Sequence, residues 1–139
     1  KRRQISEIAQ VKFHALMKLE KHDLAYQIVE EQVHRGLDTR WALTLAQMTD
    51  VNWQARYNLL TKYMGNKTED TNVLKAQGVL LQQGGDNAQA LEFLHKAVAL
   101  DPKDMKTQIL VYELEKELGD MTAEQKLAQI AESEDISIK

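Results

Sequence analysis

Apolar residues recur along this chain at spacings of three and four rather than two, the period of helices that each bury one face. The clearest stretch is 74–98. Leu74, Gly78 and Leu81 share one helical face, GlyGlyAsp at 84–86 interrupts, and Ala90, Leu94, Ala97 and Val98 share a second. Pro102 follows as a stop signal. The pattern predicts an antiparallel hairpin in which Gly78 and Ala90 are small where the two helices approach most closely. Ala97 and Leu100 are then left to pack on a following hairpin.

The same period extends both ways. Ile5, Ala9, Phe13, Leu16 and Leu19 predict a first helix, and Ala25, Ile28 and Val29 a second. The stretch from Asp38 to Met48 has room for only a short helix before the polar ThrAspValAsn turn, and Trp53 to Met64 makes the next. Helices are expected near 4–20, 24–35, 39–48, 52–64, 70–83, 87–100, 104–118 and 122–132. Asp23, Asp38, Asp50, Asp86 and Thr122 are candidate N-cap or first-turn residues, and Gly36, Gly65 and Gly119 candidate helix ends. The expectation is one all-α domain over 1–139 with about four hairpins. Its last hairpin, 105–139, is a degenerate, solvated end cap, because Tyr112 falls in the slot of Gly78 and Glu124 in that of Ala90.

Residues 71–104, with Leu74, Gly78, Leu81, Ala90, Leu94, Ala97 and Pro102 in the signature positions, resemble a tetratricopeptide repeat (TPR), a helical hairpin of about 34 residues. The resemblance departs at Leu74, where the family often has an aromatic. It implies an α-α superhelix, a solenoid whose first helices line a groove for a peptide or partner helix. A narrower resemblance covers most of the chain. The LysArgArgGln start, HisAspLeuAla and GlnIleVal over 22–29, the short middle helix and one well-formed repeat are similar to the C-terminal region of bacterial HemY proteins. Those are inner-membrane TPR proteins associated with haem biosynthesis.

Composition agrees with helices, since a single proline and six glycines leave few of the breaks that a sandwich or barrel needs. No cysteine is present, which excludes disulfides and thiolate chemistry. No apolar run approaches the roughly 20 residues of a membrane span. A start at Lys1 with no apolar leader leads us to expect a piece of a longer protein, with any membrane tether in a segment outside this chain. Net charge is −3, too weakly polarised to imply nucleic acid, although the first forty residues lean basic and 113–139 lean acidic.

Candidate chemistry is sparse. GlyGlyAsp before a helix resembles a phosphate loop only superficially, because it lacks GxxxxGK and GxGxxG and Asp86 already places a carboxylate at the helix start. His14, His22, His34 and His95 form neither HxxxH nor HExxH, so no metal or cofactor is expected. Glu30 with Glu31, and Glu113 with Glu115 and Glu117, read as solvated helix faces. LysArgArg at 1–3 falls short of the four to eight charges of a lipid-binding cluster. Trp41, Trp53, Tyr57 and Tyr63 are expected in the core before any binding surface.

The expected function is therefore non-catalytic: a protein-interaction scaffold, which the narrower resemblance would place at the inner membrane organising haem-biosynthetic enzymes. A TPR adaptor in envelope assembly, pilus, secretion or cytochrome maturation, and an accessory domain of an enzyme whose catalytic part lies elsewhere, are the alternatives. On the repeat register the groove residues are Gln10, His14 and Met17 in the first hairpin, Asn72, Lys75, Val79 and Gln82 in the best repeat, and Lys106, Ile109, Glu113 and Lys116 in the last. The Lys and Asn carboxylate clamp of some TPR domains is not expected, because Val79 and Leu110 stand where it needs asparagine. Exposed solenoid ends also leave self-association open.

Overall fold

The computed structural model describes residues 2–133, and there the chain is all-helical, with eight helices and no strand. They are α1 (Arg2–Lys18), α2 (His22–Arg35), α3 (Arg40–Gln47), α4 (Trp53–Met64), α5 (Thr71–Gln83), α6 (Asn87–Leu100), α7 (Met105–Glu117) and α8 (Ala123–Glu132). Every boundary falls within two residues of its expected place. The basic side chains at 1–3 and the acidic tail beyond Ser133 lie outside the described residues. Each helix packs on its chain neighbours, and in the N-terminal half α2 also meets α4 and α3 meets α5.

Short polar caps set the helix starts. Asn52 Oδ1 accepts from the Gln54 and Ala55 amides, and Asp70, Asp86 and Asp104 do the same for α5, α6 and α7. Each such cap is worth about 1 kcal/mol. Two expected caps are corrected. Asn52, not Asp50, caps α4, because the chain turns through Val51 first. Thr122 holds the position before α8 but caps nothing with its side chain, and its own amide is taken by Asp120. Gly36 ends α2 in the left-handed conformation at φ 66°.

The α5–α6 hairpin is the most extensively packed pair, and Gly78 is the reason. A Cβ there would sit 2.6 Å from Leu94 Cγ and 3.3 Å from the Ala90 carbonyl oxygen, so only glycine permits this approach. In the turn, Gly85 adopts φ +87° and Gly84 lies under the Trp53 ring. Asp86 Oδ1 accepts from the Gln89 amide at 3.1 Å. The turn is thus a packed hairpin connection whose helix terminus is already served by its own carboxylate.

Two apolar clusters form the core. The larger gathers Val29, Val33, Trp41, Leu45, Leu60, Met64, Val73 and Leu80 from α2 to α5, and the smaller gathers Leu81, Ala90, Leu94, Val111 and Leu114 from α5 to α7. Tyr57 packs on both. Helix α3 has eight residues, of which Trp41, Ala42, Leu45 and Ala46 are buried. It packs more on α5 than on its hairpin partner α4, and so acts as a plug rather than as one arm of a regular hairpin.

Two apolar expectations fail. Ile5 and Leu19 are 38% and 64% exposed, because the buried stripe of α1 runs through Ser6, Ala9 and Phe13 instead. Leu100 is 47% exposed, since α7 covers α6 at Ala97 but not at its last residue. In α8 Glu124, in the slot of Ala90, is exposed, and its neighbour Ala123 is the small residue that is buried. The five-residue connection to α8 replaces the three-residue GlyGlyAsp turn, which shifts the register, and the Tyr112 ring lies under Lys126 instead of letting the helices close.

Buried polar groups pin the second hairpin in place. The Arg56 side chain, in a residue 2% exposed, donates to the carbonyl oxygens of Leu45, Ala46 and Val51 and to Gln83 Oε1. Gln83 Nε2 donates in turn to the Ala46 carbonyl at 2.9 Å. The guanidinium therefore closes the C-terminus of α3, where free carbonyls and the helix dipole favour a cation. Burial lowers the Arg56 pKa from its ordinary value, while Tyr26 and Asp50 oppose that shift.

Helix α1 is tied to α3 by a second network. Trp41 Nε1 donates to Ser6 Oγ at 2.9 Å, Ser6 Oγ donates to Asp38, and Arg40 bridges both Asp38 oxygens at 3.0 and 2.7 Å. The Arg40 hydrogen bonds, aided by Ser6, hold the Asp38 carboxyl down at about 2 against the opposing effect of burial. Because the folded value is depressed, the contribution is complete above the ordinary aspartate range and fades as pH falls toward 2. Water screens Arg40, whose side chain is 60% exposed, so about 1 kcal/mol is at stake. Asp38→Asn is expected to lose that amount at pH 7 and nothing near pH 2, measured by urea denaturation across that range.

Candidate interaction surface

The residues expected to face a partner lie on three helices, and the structure gives them unequal freedom. On α1, His14 is exposed while Gln10 and Met17 are half-buried. The His14 ring meets the Phe13 ring edge-on at 5.7 Å, and Phe13 meets Trp41 in the same way at 6.0 Å. This part of α1 therefore rests on the core through aromatic edges.

On α5, Asn72, Lys75, Val79 and Gln82 form one half-buried stripe, the side of the helix left over when Val73, Leu74, Ala76, Gln77, Leu80 and Leu81 are buried. Two members are committed internally. Asn72 Nδ2 donates to Thr39 Oγ1 at 3.1 Å, and Lys75 Nζ donates to Asp104 Oδ2 at 3.0 Å. Burial would raise the Asp104 pKa, but hydrogen bonds from Thr107 and Lys75 outweigh it and hold the carboxyl below its ordinary value. A lysine already paired in this way is poorly placed to hold a partner's terminal carboxylate, quite apart from the missing asparagines. Val79 packs partly on the larger core cluster, and Gln82 carries the polar end of the stripe.

On α7, Lys106, Glu113 and Lys116 are exposed and Ile109 is half-buried. Lys116 reaches Glu124 of α8 at 4.0 Å, which ties it to the end of the domain. The ion pair from Lys75 to Asp104 joins α5 to the start of α7.

Sequence reasoning omitted α3. Its exposed or half-buried positions are Arg40, Leu43, Thr44 and Gln47, and α3 lies against α5. The 34-residue step of the expected repeat would carry Lys75 and Val79 back to Trp41 and Leu45, which are both core residues. The sequence cue to this departure is the apolar pair at Trp41 and Leu45, where the expected repeat would have exposed positions.

The histidines do not converge. His22 faces Asp50 at 3.8 Å and His34 stacks edge-on with Tyr63 at 4.4 Å. Among the described residues no group of three or more His, Asp or Glu side chains is placed to hold a metal ion, and no helix is long and apolar enough to cross a membrane. Comparison with family models, with curated proteins and with solved structures finds no match.

Proposed function

We propose that this chain is a non-catalytic protein-interaction domain, a TPR-like superhelix of four hairpins that holds a peptide or partner helix. The observation that carries the proposal is the half-buried mixed stripe of Val79 and Gln82 on α5, the helix against which α3 packs, together with the half-buried Ile109 and exposed Glu113 on α7. Apolar and charged side chains on packed helices suit recognition of an amphipathic segment. The narrower proposal, a membrane-tethered scaffold for haem-biosynthetic enzymes, rests on the HemY resemblance.

A photo-crosslinking residue placed at Gln82 or Glu113 is expected to capture specific partners from cells expressing the full-length protein. The same residue at Glu92, exposed on α6, is expected to capture about ten-fold less of them. Equal capture from all three positions would overturn the groove proposal. Specific partners that include no haem-biosynthetic enzyme would overturn the narrower one.

A further inference from the structure

Helix α1 carries a second apolar stripe that the core does not use. Ile5, Ile8 and Leu19 lie with Lys12 at helical spacing, and they are 38%, 56% and 64% exposed. On α2 the matching edge is Leu24 and Ile28 with Glu31. The two edges meet in an open groove where Ile5, Ile8 and Lys12 face Ile28 and Glu31. A contiguous apolar strip of this kind marks a contact surface.

The charges on the strip indicate what covers it. Lys12 stands on one helix and Glu31 on the other, so the face carries both signs at its two edges. A two-fold axis along the groove sets each Lys12 opposite the other copy's Glu31, the self-complementary condition of an isologous interface. Glu31 bridges Arg35 at 3.4 Å on an exposed surface, a contact weak enough to be shared. Lys12 makes no ion pair among the described residues. Among the described residues α8 turns Glu124, Gln125, Gln129 and Glu132 to solvent, a largely polar face whose exposed apolar neighbours Leu118 and Met121 sit in the connection before it rather than in a stripe. We infer that the α1–α2 face docks a second copy of this chain through the same face, burying Ile8 and pairing Lys12 with Glu31 across a two-fold axis. This surface is separate from the α5 stripe, so the inference stands apart from the proposed function.

Sedimentation velocity of the 139-residue chain between about 1 and 200 µM tests it, in the range of weak and transient interfaces. A concentration-dependent dimer is expected. Ile8→Glu, at an exposed position, is expected to give a monomer with unchanged helicity and melting temperature. Lys12→Glu and Glu31→Lys are each expected to weaken dimerisation about ten-fold, and the two together to restore it to within about three-fold of the starting value. A monomer at every concentration, a dimer that survives Ile8→Glu, or a double charge reversal that restores nothing would each overturn the inference.

Discussion

Replacing Arg56 by methionine is expected to lower the unfolding free energy by about 3 kcal/mol. Methionine fills much of the volume, so the loss measures the polar network rather than a cavity. Without the guanidinium, the Val51 carbonyl oxygen and Gln83 Oε1 lose this donor, while the Leu45 and Ala46 carbonyls each lose one of two donors and keep the Met48 amide and Gln83 Nε2. Each buried acceptor left unsatisfied costs about 1 to 3 kcal/mol when water cannot enter, and partial hydration at Gln83, an exposed residue, moderates the sum. Arg56→Lys is expected to cost about 2 kcal/mol, since an ammonium cannot span the end of α3 and Gln83 together. Urea denaturation followed by circular dichroism checks both. An Arg56→Met variant within 0.5 kcal/mol of the parent, roughly the scatter of surface substitutions, would show that water replaces the guanidinium.

The second large effect is expected at Trp41. Truncation to alanine should cost about 4 kcal/mol, from lost burial, from a cavity beside Phe13 and from the lost hydrogen bond to Ser6, which keeps its bond to Asp38. The ring is 2% exposed and its Nε1 donates to Ser6, so it joins α1, α3 and the larger core cluster at one point. Trp41→Phe keeps most of the packing and removes the donor, and is expected to cost about 1 kcal/mol. Thermal and urea melts distinguish these outcomes. A small loss for Trp41→Ala would mean that α1 folds back over the gap and that the indole is dispensable to the core.

These two residues also show where sequence reading reaches its limit. All eight helices were legible, because three-and-four periodicity and the glycine turns mark them even where the expected cap is not the residue that caps. Gly78 was legible too, since a glycine facing Ala90 across a turn has one physical reason to be there. Trp41 reads from sequence as an aromatic that belongs in a core, but its bond to Ser6, 35 residues away, leaves no periodic trace. Arg56 gives no local signal at all. Its position in α4 looks like any charged helix residue, and only the shortness of α3 brings free carbonyls within its reach.

The candidate surface was less legible for a related reason. Position on a helix face can be counted from the sequence, whereas commitment to an internal partner cannot. Asn72 and Lys75 have the expected placement, yet Thr39 and Asp104 hold them through contacts about thirty residues apart in sequence. In the last hairpin the buried small residue is Ala123, one before the slot of Ala90, because loop length, unlike helix period, is not fixed by side-chain pattern.

The close seat of Gly78 against Leu94 also bears on how the domain bends. With only the Leu94 side chain on one side and glycine on the other, α5 and α6 have little to compress there and move as one stiff unit. Flexure then falls more readily at the joints between hairpins, and at the joint after this unit the Lys75–Asp104 ion pair and the Asn87–Glu117 hydrogen bond accompany the apolar packing of α6 on α7. Salt is expected to loosen only the charged part of that joint and to leave the hairpin itself unchanged.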